Sequence, residues 1–447
     1  MADHRVLVAN RGEIAVRIIR AAHTLGWEAV AVYSDADADA LWVRLADEAV
    51  HVGPSPASKS YLVADRVVEA AVSSKCHLVH PGYGFLSERA GFAAAVEEAG
   101  LAFVGPSADV ISRMGDKASA RRTAKAADVP VIPGSDEIVD VPDAQRLAEE
   151  IGYPVLVKAS AGGGGRGIRM VDGPGELAVA VTESKNEARS SFGDEAVYLE
   201  KAVLDARHIE VQVMADSRGH VTHAGERDCS VQRRRQKLLE EAPAADLDPD
   251  TRHAMVEASV RLAREIGYVG AGTIEYLVTA DHFYFMEMNT RIQVEHPISE
   301  QVTGVDLVAE QLRVAAGEEL SFDGDAQAAE GVAFEFRINA EDPDNAFFPS
   351  PGTLTRLDVP GGPGIRVETG FVAGGAVAPY YDSLLAKLVV HGRDRQEAVA
   401  RSVQALGELC VEGVSTTRDV HLRLLEDSSL KDGPVTTSWL EGFLAGS

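Results

Sequence analysis

Two glutamates in a predicted β-hairpin are spaced so that together they could hold one divalent cation. Two runs rich in aromatic and aliphatic residues flank the polar break 280–282, which is typical of a β-hairpin. A loop of these three residues pairs Thr279 with Phe283 and places Glu275 directly opposite Glu287. Like charges facing each other across a ladder are unfavourable unless something neutralises them. Carboxylate oxygens suit magnesium, so the hairpin predicts a magnesium site.

The polar side chains after this hairpin recur at every second position: Glu287, Asn289, Arg291, Gln293 and Glu295. In an extended chain all five point the same way. An ordinary half-solvated strand face is the alternative interpretation. The facing carboxylates and the apolar residues between the polar ones argue against free solvation. The pattern therefore predicts one polar row that continues from the magnesium site.

A glycine-rich segment, residues 160–167, lies between two predicted strands at 153–159 and 168–171. Consecutive glycines let backbone N–H groups converge on an anion with no side chain in the way. Lys158 just before the segment and Lys117 upstream would add positive charge for phosphates. The strand–glycine–strand order differs from the strand–glycine–helix order of a P-loop. We expect a mobile phosphate-binding lid, with a plain flexible linker as the alternative.

Three further segments could bind a ligand or could be ordinary structure. Residues 80–84 follow a strand, where ligands of open α/β sheets gather, but could be a glycine turn with unusual dihedrals. The cationic block within 226–237 indicates an anion pocket or a solvated charged face. Residues 196–201 form a strand that stops at 202–204, and such backbone could bind an adenine edge.

Two single residues also point to chemistry. Arg337 lies among apolar residues, where an unpaired guanidinium is costly, so we expect it to pair with a carboxylate or an anionic ligand. His208 lies in a strictly alternating strand, and such a histidine is more often satisfied within the protein than a ligand.

Composition excludes several classes of protein. The 447 residues carry a formal net charge of −26, which argues against nucleic acid or an anionic membrane as the main partner. The three cysteines, Cys76, Cys229 and Cys410, are odd in number and far apart, which favours reduced thiols. No signal peptide or bilayer-spanning apolar run appears, and we expect a cytoplasmic protein.

The elements that must position these residues begin with a β-α-β pattern. Residues 5–9 form a strand, 13–25 an amphipathic helix and 29–33 a second strand, which predicts a parallel, Rossmann-like sheet. No G-x-G-x-x-G sequence follows, so a dinucleotide site is not indicated. Further along, Ser87 is expected to cap a helix that runs to residue 99.

The length is too great for one core, and we divide the chain into three domains. Residues 1–114 form the Rossmann-like domain. Residues 115–330 form a second α/β domain that includes a lid at about 132–203. Residues 331–447 form a compact α+β domain marked by proline- and glycine-rich turns.

The wording of several motifs is highly specific. A glycine lid between strands, two lysines and a Glu…Glu-x-Asn hairpin resemble the ATP-grasp fold. The runs at 8–15, 80–88, 288–297 and 337–343 resemble biotin carboxylase, and the likeness extends from residue 5 to about 440. The resemblance implies that the three domains are the biotin carboxylase N-terminal, ATP-grasp and C-terminal domains.

The resemblance also implies a reaction. ATP and bicarbonate give carboxyphosphate, and biotin on a carrier protein is then carboxylated as the first half-reaction of an acyl-CoA carboxylase, as in fatty acid biosynthesis. Magnesium or manganese would accompany ATP. The partners would be a biotin carboxyl carrier protein or domain and a carboxyltransferase subunit, and family habit suggests a homodimer.

Carried onto this sequence, the resemblance assigns three groups of residues to the metal and the nucleotide. The metal ligands would be Glu275, Glu287 and Asn289; the phosphate contacts Lys117, Lys158 and the N–H groups around Gly164 and Gly165; the adenine contacts Glu200, Lys201, Ala202 and Val203, with His208 and Gln232 at the ribose.

The remaining assignments concern bicarbonate and biotin. Bicarbonate would be bound by Lys237, Arg291, Gln293 and the Val294 backbone, and its general base would be Glu295. The enolate-like oxygen of the biotin ureido ring would be stabilised by Arg337, and Tyr83 would flank the biotin. The proton that leaves the ureido nitrogen would pass to phosphate released in the closed site.

Three positions depart from the family pattern. Arg235 stands where the family commonly carries His or Asn near the nucleotide, which puts that contact in doubt. Ala161 replaces a frequent first glycine of the lid and should stiffen its start slightly. Phe336 replaces a common Cys before the biotin arginine, which we interpret as neutral packing.

No Met-Lys-Met biotinylation hairpin appears, so we expect the carrier on a separate chain or on a domain outside this sequence. A free-standing biotin carboxylase is the first choice, and the N-terminal part of a larger carboxylase is the second. Another ATP-grasp ligase, such as a carbamoyl-phosphate synthetase half, and a non-catalytic nucleotide-binding scaffold are the competing classes.

Overall fold

Parallel strands form the first sheet of the computed structural model, which describes residues 4–135, 138, 140–159, 168–192, 195–326 and 329–446. The first region contains β1 (Arg5–Val8), α1 (Gly12–Thr24), β2 (Glu28–Ser34), α2 (Leu41–Leu45), β3 (Glu48–Gly53), α3 (Ala64–Ser73), β4 (Leu78–His80), α4 (Ala90–Glu98), β5 (Ala102–Phe103) and α5 (Ala108–Gly115). The strand order β3-β2-β1-β4-β5, parallel throughout, confirms the predicted Rossmann-like sheet.

The loops after β1 and β4 meet at the carboxyl edge of this sheet. The Asn10 side-chain amide donates to the carbonyls of Pro81 and Tyr83, both at 2.7 Å. Gly82 has φ +61°, and a Cβ there would lie 2.9 Å from the Asn10 amide nitrogen. Both the left-handed backbone and the close approach therefore require glycine at this position.

The predicted Ser87 cap is wrong. Helix α4 begins at Ala90, and the Ser87 hydroxyl donates to the Gly84 carbonyl at 2.7 Å instead. The serine therefore closes the turn of residues 84–87, which delays the helix by one turn.

The central region carries the lid strands and most of the large sheet. Its elements are α6 (Lys117–Ala126), α7 (Val141–Ile151), β6 (Val155–Ala159), β7 (Ile168–Val171), α8 (Pro174–Phe192), β8 (Val197–Lys201), β9 (Arg207–Ala215), β10 (Val221–Arg233), β11 (Gln236–Ala242), α9 (Pro249–Glu265), β12 (Gly270–Val278), β13 (Phe283–Asn289), α10 (His296–Thr303) and α11 (Leu307–Ala315). Strands β6 and β7 pair antiparallel, as the strand–glycine–strand pattern predicts.

The third region adds short strands and a helical layer. Its elements are β14 (Val332–Asn339), β15 (Glu341–Asp342), β16 (Phe348–Pro349), β17 (Gly352–Thr353), β18 (Arg356–Asp358), β19 (Ile365–Thr369), β20 (Ala376–Val377), β21 (Leu384–Gly392), α12 (Arg395–Glu408), β22 (Cys410–Glu412), α13 (Arg418–Glu426), α14 (Ser428–Asp432) and α15 (Trp439–Ala445). Single-turn 3₁₀ segments lie at 35–37, 57–59, 324–326 and 343–345.

One antiparallel sheet joins the central and third regions. Its eight strands run in the order β13-β12-β9-β10-β11-β14-β21-β19, and β11 pairs directly with β14. No local sequence pattern predicts this continuity, because β12, β13 and three helices separate the two strands in the chain. Any side chain at the β11–β14 seam is therefore held by both regions.

None of the helices in the described part of the chain combines the length and the apolar character that a membrane crossing requires.

A buried lysine ties the third region to the first. The Lys387 side chain on β21 has no solvent exposure, and its ammonium lies 3.1 Å from a Glu13 oxygen on α1. The same ammonium donates to the Val294 carbonyl at 2.7 Å. Three distant segments of the chain are thus fastened by one cation.

Replacing this lysine with methionine is expected to lower the free energy of unfolding by about 3–5 kcal/mol, since it takes the ammonium away from the buried Glu13 carboxylate and leaves that charge uncompensated. Chemical denaturation of Lys387→Met beside Lys431→Met, an exposed lysine on α14, measures the difference. Equal midpoints for the two variants would contradict the fastening role.

Candidate active site

The predicted pair of facing glutamates is present, although the hairpin reaches it differently. Glu275 on β12 lies opposite Glu287 on β13. The predicted pairing of Thr279 with Phe283 is wrong, because Phe283 pairs with Val278. A register shift between Glu275 and the next residue then absorbs one extra residue of β13 and restores the opposition of the two acids.

The Glu275 carboxylate is surrounded by donors. Its Oε1 accepts from Lys237 Nζ at 3.0 Å and from the Asn289 and Gln293 amides, both at 2.9 Å. Its Oε2 lies 3.2 Å from His208 Nε2. Burial alone would raise the pKa of Glu275, but Lys237 and His208 outweigh it and hold that pKa below the ordinary value. Glu275 is therefore ionised.

The opposing Glu287 is exposed to the cleft. Partial desolvation and the charge of Glu275 raise its pKa, while Lys117 acts in the opposite direction. Among the described residues, no hydrogen bond or ion pair engages this carboxylate. Three oxygen donors are thus available for a hard divalent cation. They are the ionised Glu275, the exposed Glu287 and the amide oxygen of Asn289.

The polar row 287–295 converges, but not as an extended strand. Strand β13 ends at Asn289, residues 290–295 form an irregular segment, and α10 begins at His296. The Arg291 guanidinium donates to the Asn289 oxygen at 3.0 Å, and Gln293 reaches Glu275 as described above. The prediction of an extended row is wrong; the turn into α10 brings these side chains together instead.

Lys237 is the cation at the centre of the site. Its ammonium lies 2.6 Å from Glu210 Oε2, 3.0 Å from Glu275 Oε1 and 2.6 Å from Glu295 Oε1. Burial would lower the pKa of Lys237, but the Cys229 sulfur and these carboxylates hold it well above the ordinary value. The ammonium therefore stays charged and holds three acids from three segments.

Arg227 forms a second layer beneath Lys237. It is fully buried and donates to Glu210 at 2.6 Å and to Gln293 at 2.8 Å. Its other contacts are Gln212, Thr273 and Ser299. The guanidinium thus fixes the side chains that in turn hold Gln293 and Lys237.

Glu295 joins Lys237 to the predicted biotin arginine. Its second oxygen, Oε2, accepts from Arg337 Nη2 at 3.0 Å. Burial would raise the pKa of Glu295, but Lys237, Arg337 and Arg227 hold it well below the ordinary value. Arg337 also pairs with Glu240, with Nε at 2.6 Å from Oε1. The expectation that Arg337 pairs with a carboxylate is confirmed.

Two further predicted residues are held by the N-terminal region. The Arg291 guanidinium donates to Glu88 Oε2 at 2.9 Å. The Tyr83 hydroxyl donates to Glu13, the residue that also meets Lys387. The edge of the parallel sheet therefore holds one residue predicted to bind bicarbonate, Arg291, and the residue predicted to flank biotin, Tyr83.

The residues predicted to meet the nucleotide lie together around β8. Lys158 and Arg121 both pair with the Glu200 carboxylate, the latter at 3.0 Å. The Lys201 ammonium points away and donates to the Gly152 and Tyr153 carbonyls. The Ala202 N–H donates to the Pro154 carbonyl at 3.0 Å.

Other nucleotide predictions have mixed outcomes. Val203 is half-buried, and its N–H makes no hydrogen bond in the described part of the chain. Gln232 lies opposite Lys237 in the β10–β11 ladder, and Arg235 is exposed at the turn with φ +67°. The lid residues Ala161, Gly164 and Gly165 lie outside the described residues.

The cationic block 226–237 separates into two parts. Arg227 and Lys237 point into the site, whereas Arg234 and Arg235 are exposed at the turn. Both interpretations of the block, an anion pocket and a solvated face, therefore apply to different members of it.

The sequence analysis missed Glu210, Arg227, Glu240 and Lys387. The sequence did contain a signal for Glu210, because the polar residues His208, Glu210 and Gln212 alternate along β9. In the structure β9 pairs with β12, and Glu210 lies opposite Glu275. Glu240 lies in a strand that also carries Lys237 and Glu241, and Lys387 lies in a largely apolar strand, but neither strand indicates which distant residue is the partner.

Comparison with known proteins gives a consistent family. Three family models match in succession: biotin carboxylase, N-terminal domain, at residues 2–111; carbamoyl-phosphate synthase L chain, ATP binding domain, at 116–322; and biotin carboxylase C-terminal domain at 335–442. Biotin carboxylase 1 of Bacillus subtilis is 51% identical over 98% of both chains. A pyruvate carboxylase subunit from Methanothermobacter thermautotrophicus is 48% identical over 99% of this chain and 90% of its own.

Solved structures agree in shape. A Campylobacter jejuni biotin carboxylase bound to a β,γ-ATP compound gives a TM-score of 0.92 at 44% identity, over 98% of both chains. The biotin carboxylase domain dimer of Hydrogenobacter thermophilus 2-oxoglutarate carboxylase, bound to MgADP, ADP and bicarbonate, gives 0.90 at 48% identity, over 98% of this chain and 97% of its own.

Loss of the exposed glutamate should weaken divalent-metal binding. For Glu287→Gln we expect the affinity for Mn²⁺ with ADP to fall at least roughly tenfold, because outer-shell changes alone cost about 10–100-fold. Its raised pKa means that protonation competes with the metal at a higher pH than for an ordinary glutamate. In the unmodified protein, affinity should therefore fall as the pH is lowered from neutral.

Electron paramagnetic resonance of Mn²⁺ measures both effects without any turnover. Glu257→Gln, an exposed glutamate on α9, is the control and should bind the metal normally. Unchanged affinity in Glu287→Gln would exclude this residue as a ligand.

Proposed function

The chain belongs to the biotin carboxylase family, whose members carboxylate biotin with ATP and bicarbonate, and from this premise we propose how its residues carry out the reaction. The observation that carries the proposal is the Lys237–Glu295–Arg337 chain of contacts. The Lys237 ammonium lies 2.6 Å from one Glu295 oxygen and Arg337 Nη2 lies 3.0 Å from the other, which supports assigning Lys237 to bicarbonate, Glu295 to proton transfer and Arg337 to biotin.

Glu275, Glu287 and Asn289 hold magnesium, which supplies positive charge at the ATP phosphates when bound. Lys117, Lys158 and the N–H groups around Gly164 and Gly165 bind those phosphates. In the structure Lys158 is paired with Glu200, so this lysine has to exchange its partner when the nucleotide enters.

The nucleotide base and sugar bind beside the lid. The residues at the adenine are Glu200, Lys201, Ala202 and Val203, where the unpaired Val203 N–H can donate to a ring nitrogen. His208 and Gln232 lie at the ribose. Burial would lower the pKa of His208, but Glu275 outweighs it and raises that pKa above the ordinary value, which favours the protonated imidazole.

Bicarbonate binds between Lys237, Arg291, Gln293 and the Val294 backbone. Lys387 and Glu88 hold two of these groups in place, the first through the Val294 carbonyl and the second through Arg291. Donors fixed in this way stabilise an anion without reorganisation.

Glu295 is the general base. It is ionised, as a base must be, but its contacts with Lys237 and Arg337 make it a weak proton acceptor in the free protein. Bicarbonate shares Lys237 with Glu295, which weakens that ion pair and makes proton acceptance more favourable. The activated bicarbonate oxygen then attacks the terminal phosphate of ATP and gives carboxyphosphate and ADP.

Arg337 stabilises the developing oxyanion of the biotin ureido ring, and Tyr83 flanks the ring. The ureido nitrogen loses its proton to phosphate released from carboxyphosphate and takes up the carboxyl group. Water must be excluded during this step, since it would hydrolyse the reactive intermediate.

We further propose a carrier-borne biotin, a carboxyltransferase partner, a homodimer and a cytoplasmic setting. A dimer is named for the Hydrogenobacter thermophilus structure. We propose an acyl-CoA as the final acceptor; relatives named for pyruvate and 2-oxoglutarate carboxylation mark the alternative acceptors. Turnover on a defined acyl-CoA with purified partners would test this assignment.

The experiment that tests the activity is an ATPase assay with magnesium and bicarbonate, with and without free biotin. Strong stimulation by biotin supports the proposal. Ammonia- or carbamate-dependent turnover that biotin does not affect would point to a carbamoyl-phosphate type of ligase.

Neutralising the base separates binding from turnover. Glu295→Gln is expected to bind ATP normally, while bicarbonate-dependent turnover falls by about 10²–10⁴-fold, the usual contribution of general base catalysis. Steady-state ATPase and nucleotide titration measure the two properties. Normal turnover in this variant would show that another group is the base.

Removing the biotin cation separates the two half-steps. Arg337→Ala is expected to keep bicarbonate-dependent ATPase and to lose biotin carboxylation, because only the second step needs the guanidinium. The two activities are measured side by side on one preparation. Loss of both in equal proportion would refute the division between Arg337 and the bicarbonate site.

A further inference from the structure

A second pair of facing carboxylates lies at the seam between β11 and β14. Glu240 pairs in register with Glu335, and neither side chain is exposed to solvent. Three of their four oxygens, Glu240 Oε2 and both oxygens of Glu335, have no hydrogen-bond partner among the described residues. Two buried, facing negative charges without partners are strongly unfavourable, so something must reduce their charge.

The fourth oxygen, Glu240 Oε1, holds one edge of Arg337. Arg337 Nε and Nη2 lie 2.6 and 2.5 Å from this oxygen, and Nη2 also donates to Glu295 at 3.0 Å. No contact between described residues uses Arg337 Nη1. The guanidinium is therefore fixed through Nε and Nη2, and Nη1 is the donor that remains for a ligand.

The surrounding charges do not neutralise both acids. The cations that act on the pair are Arg337, Lys237 and Lys387, and the other charged or titratable groups nearby are Glu295, Glu13 and Tyr83. Lys237 is shared with Glu210 and Glu275, which also contact Arg227 and His208, and Lys387 is shared with Glu13. Six carboxyl groups (Glu13, Glu210, Glu240, Glu275, Glu295 and Glu335) therefore face five basic groups (His208, Arg227, Lys237, Arg337 and Lys387). One carboxyl group of the pair must therefore be neutral.

Glu335 is the neutral member, because neither of its oxygens has a partner, whereas Glu240 has the arginine. Burial raises the pKa of Glu335 well above the ordinary glutamate value. Burial also raises the pKa of Glu240, to about 7, although Arg337 opposes the shift. A neutral Glu335 carries a hydroxyl that can donate to Glu240 Oε2, which would satisfy that oxygen and one of the two orphaned oxygens of Glu335.

We propose that Glu240 and Glu335 hold one proton between them, and that the single negative charge left on Glu240 positions Arg337 for the biotin ureido oxygen. Glu240 is thus a positioning residue for the second half-step. The inference rests on the proposed role of Arg337 and adds the group that fixes it. Nothing in the sequence pattern suggested it, since β11 and β14 are far apart in the chain.

Removing this charge should affect only the biotin step. For Glu240→Gln we expect kcat/KM for free biotin to fall at least roughly tenfold, because small displacements of a positioned group cost up to about 10²-fold. The biotin-independent, bicarbonate-dependent ATPase should remain. Glu241→Gln is the matched control: it is the next residue on β11, is also buried and paired with an arginine, Arg395, but lies away from Arg337.

The pH profile separates positioning from a structural role. As the pH falls through about 7, Glu240 takes up a proton and holds Arg337 less firmly, which leaves Glu295 as the other carboxylate contact of the guanidinium. Biotin kcat/KM should therefore rise with pH through this range in the unmodified enzyme. The biotin-independent ATPase should not show this step. Glu240→Gln should lack the step, whereas Glu241→Gln should keep it.

Several outcomes would overturn the inference. It fails if Glu240→Gln keeps normal kcat/KM for biotin, or if the unmodified enzyme shows no such step in the biotin reaction. The second measurement needs no variant and decides the matter even if Glu240→Gln does not fold. If Arg337→Ala itself carboxylates biotin normally, the proposed function of Arg337 fails; if only Glu240→Gln behaves normally, the positioning inference alone fails.

The shared proton has its own measurement. Infrared spectroscopy at pH 8 should show the carbonyl band of a neutral buried carboxyl group in the unmodified enzyme, and Glu335→Gln should lack that band. A spectrum in which Glu335→Gln removes no such band would mean that both acids are ionised, which overturns the inference.

Discussion

At the centre of the molecule the Lys237 ammonium lies within 3.0 Å of carboxylate oxygens from Glu210, Glu275 and Glu295. Each of these acids would be very unfavourable as a lone buried charge, and Lys237 is the largest of the charges that lower the pKa of Glu275 and of Glu295. The lysine in turn stays charged because of the acids. This mutual dependence fixes the ends of β9, β11 and β12 and the segment before α10 relative to one another. The residues that we propose for the metal, for bicarbonate and for biotin are all arranged around this ammonium.

Continuity of the large sheet extends the same arrangement into the third region. Because β11 pairs with β14, the strand that carries Lys237 also borders the strand that carries Arg337. The β10–β11 register shifts on either side of Leu239, between Lys237 and Glu241. Lys237 and Glu240, three positions apart, both contribute to the network around Glu295. In the proposed reaction the two half-steps therefore share one sheet, and Glu295 offers one oxygen to the residue proposed for each step, Lys237 and Arg337.

Two pairs of facing glutamates in this sheet have different environments, and we propose that their charge is balanced differently. Glu275 and Glu287 border the cleft, where Glu287 is exposed and a divalent cation can enter. Glu240 and Glu335 are sealed from solvent beside Arg337, and there we propose that a shared proton reduces their charge. The same strand-to-strand opposition thus serves metal binding in one place and the positioning of an arginine in the other. Access of solvent and ions decides between the two.

The sequence by itself determined the family, the parallel first sheet, the strand–glycine–strand order of the lid and the opposition of Glu275 and Glu287. These features depend on local periodicity and on specific runs of residues, and both are present in the sequence itself. It misplaced the pairing of Phe283 and the shape of residues 290–295, because a register shift and a turn are set by packing against β9 and α10. Only the tertiary structure decided that Glu210, Glu240 and Lys387 belong to the site. Their partners lie on strands and helices distant in the chain, and a buried charge can be interpreted only when its counter-charge is known.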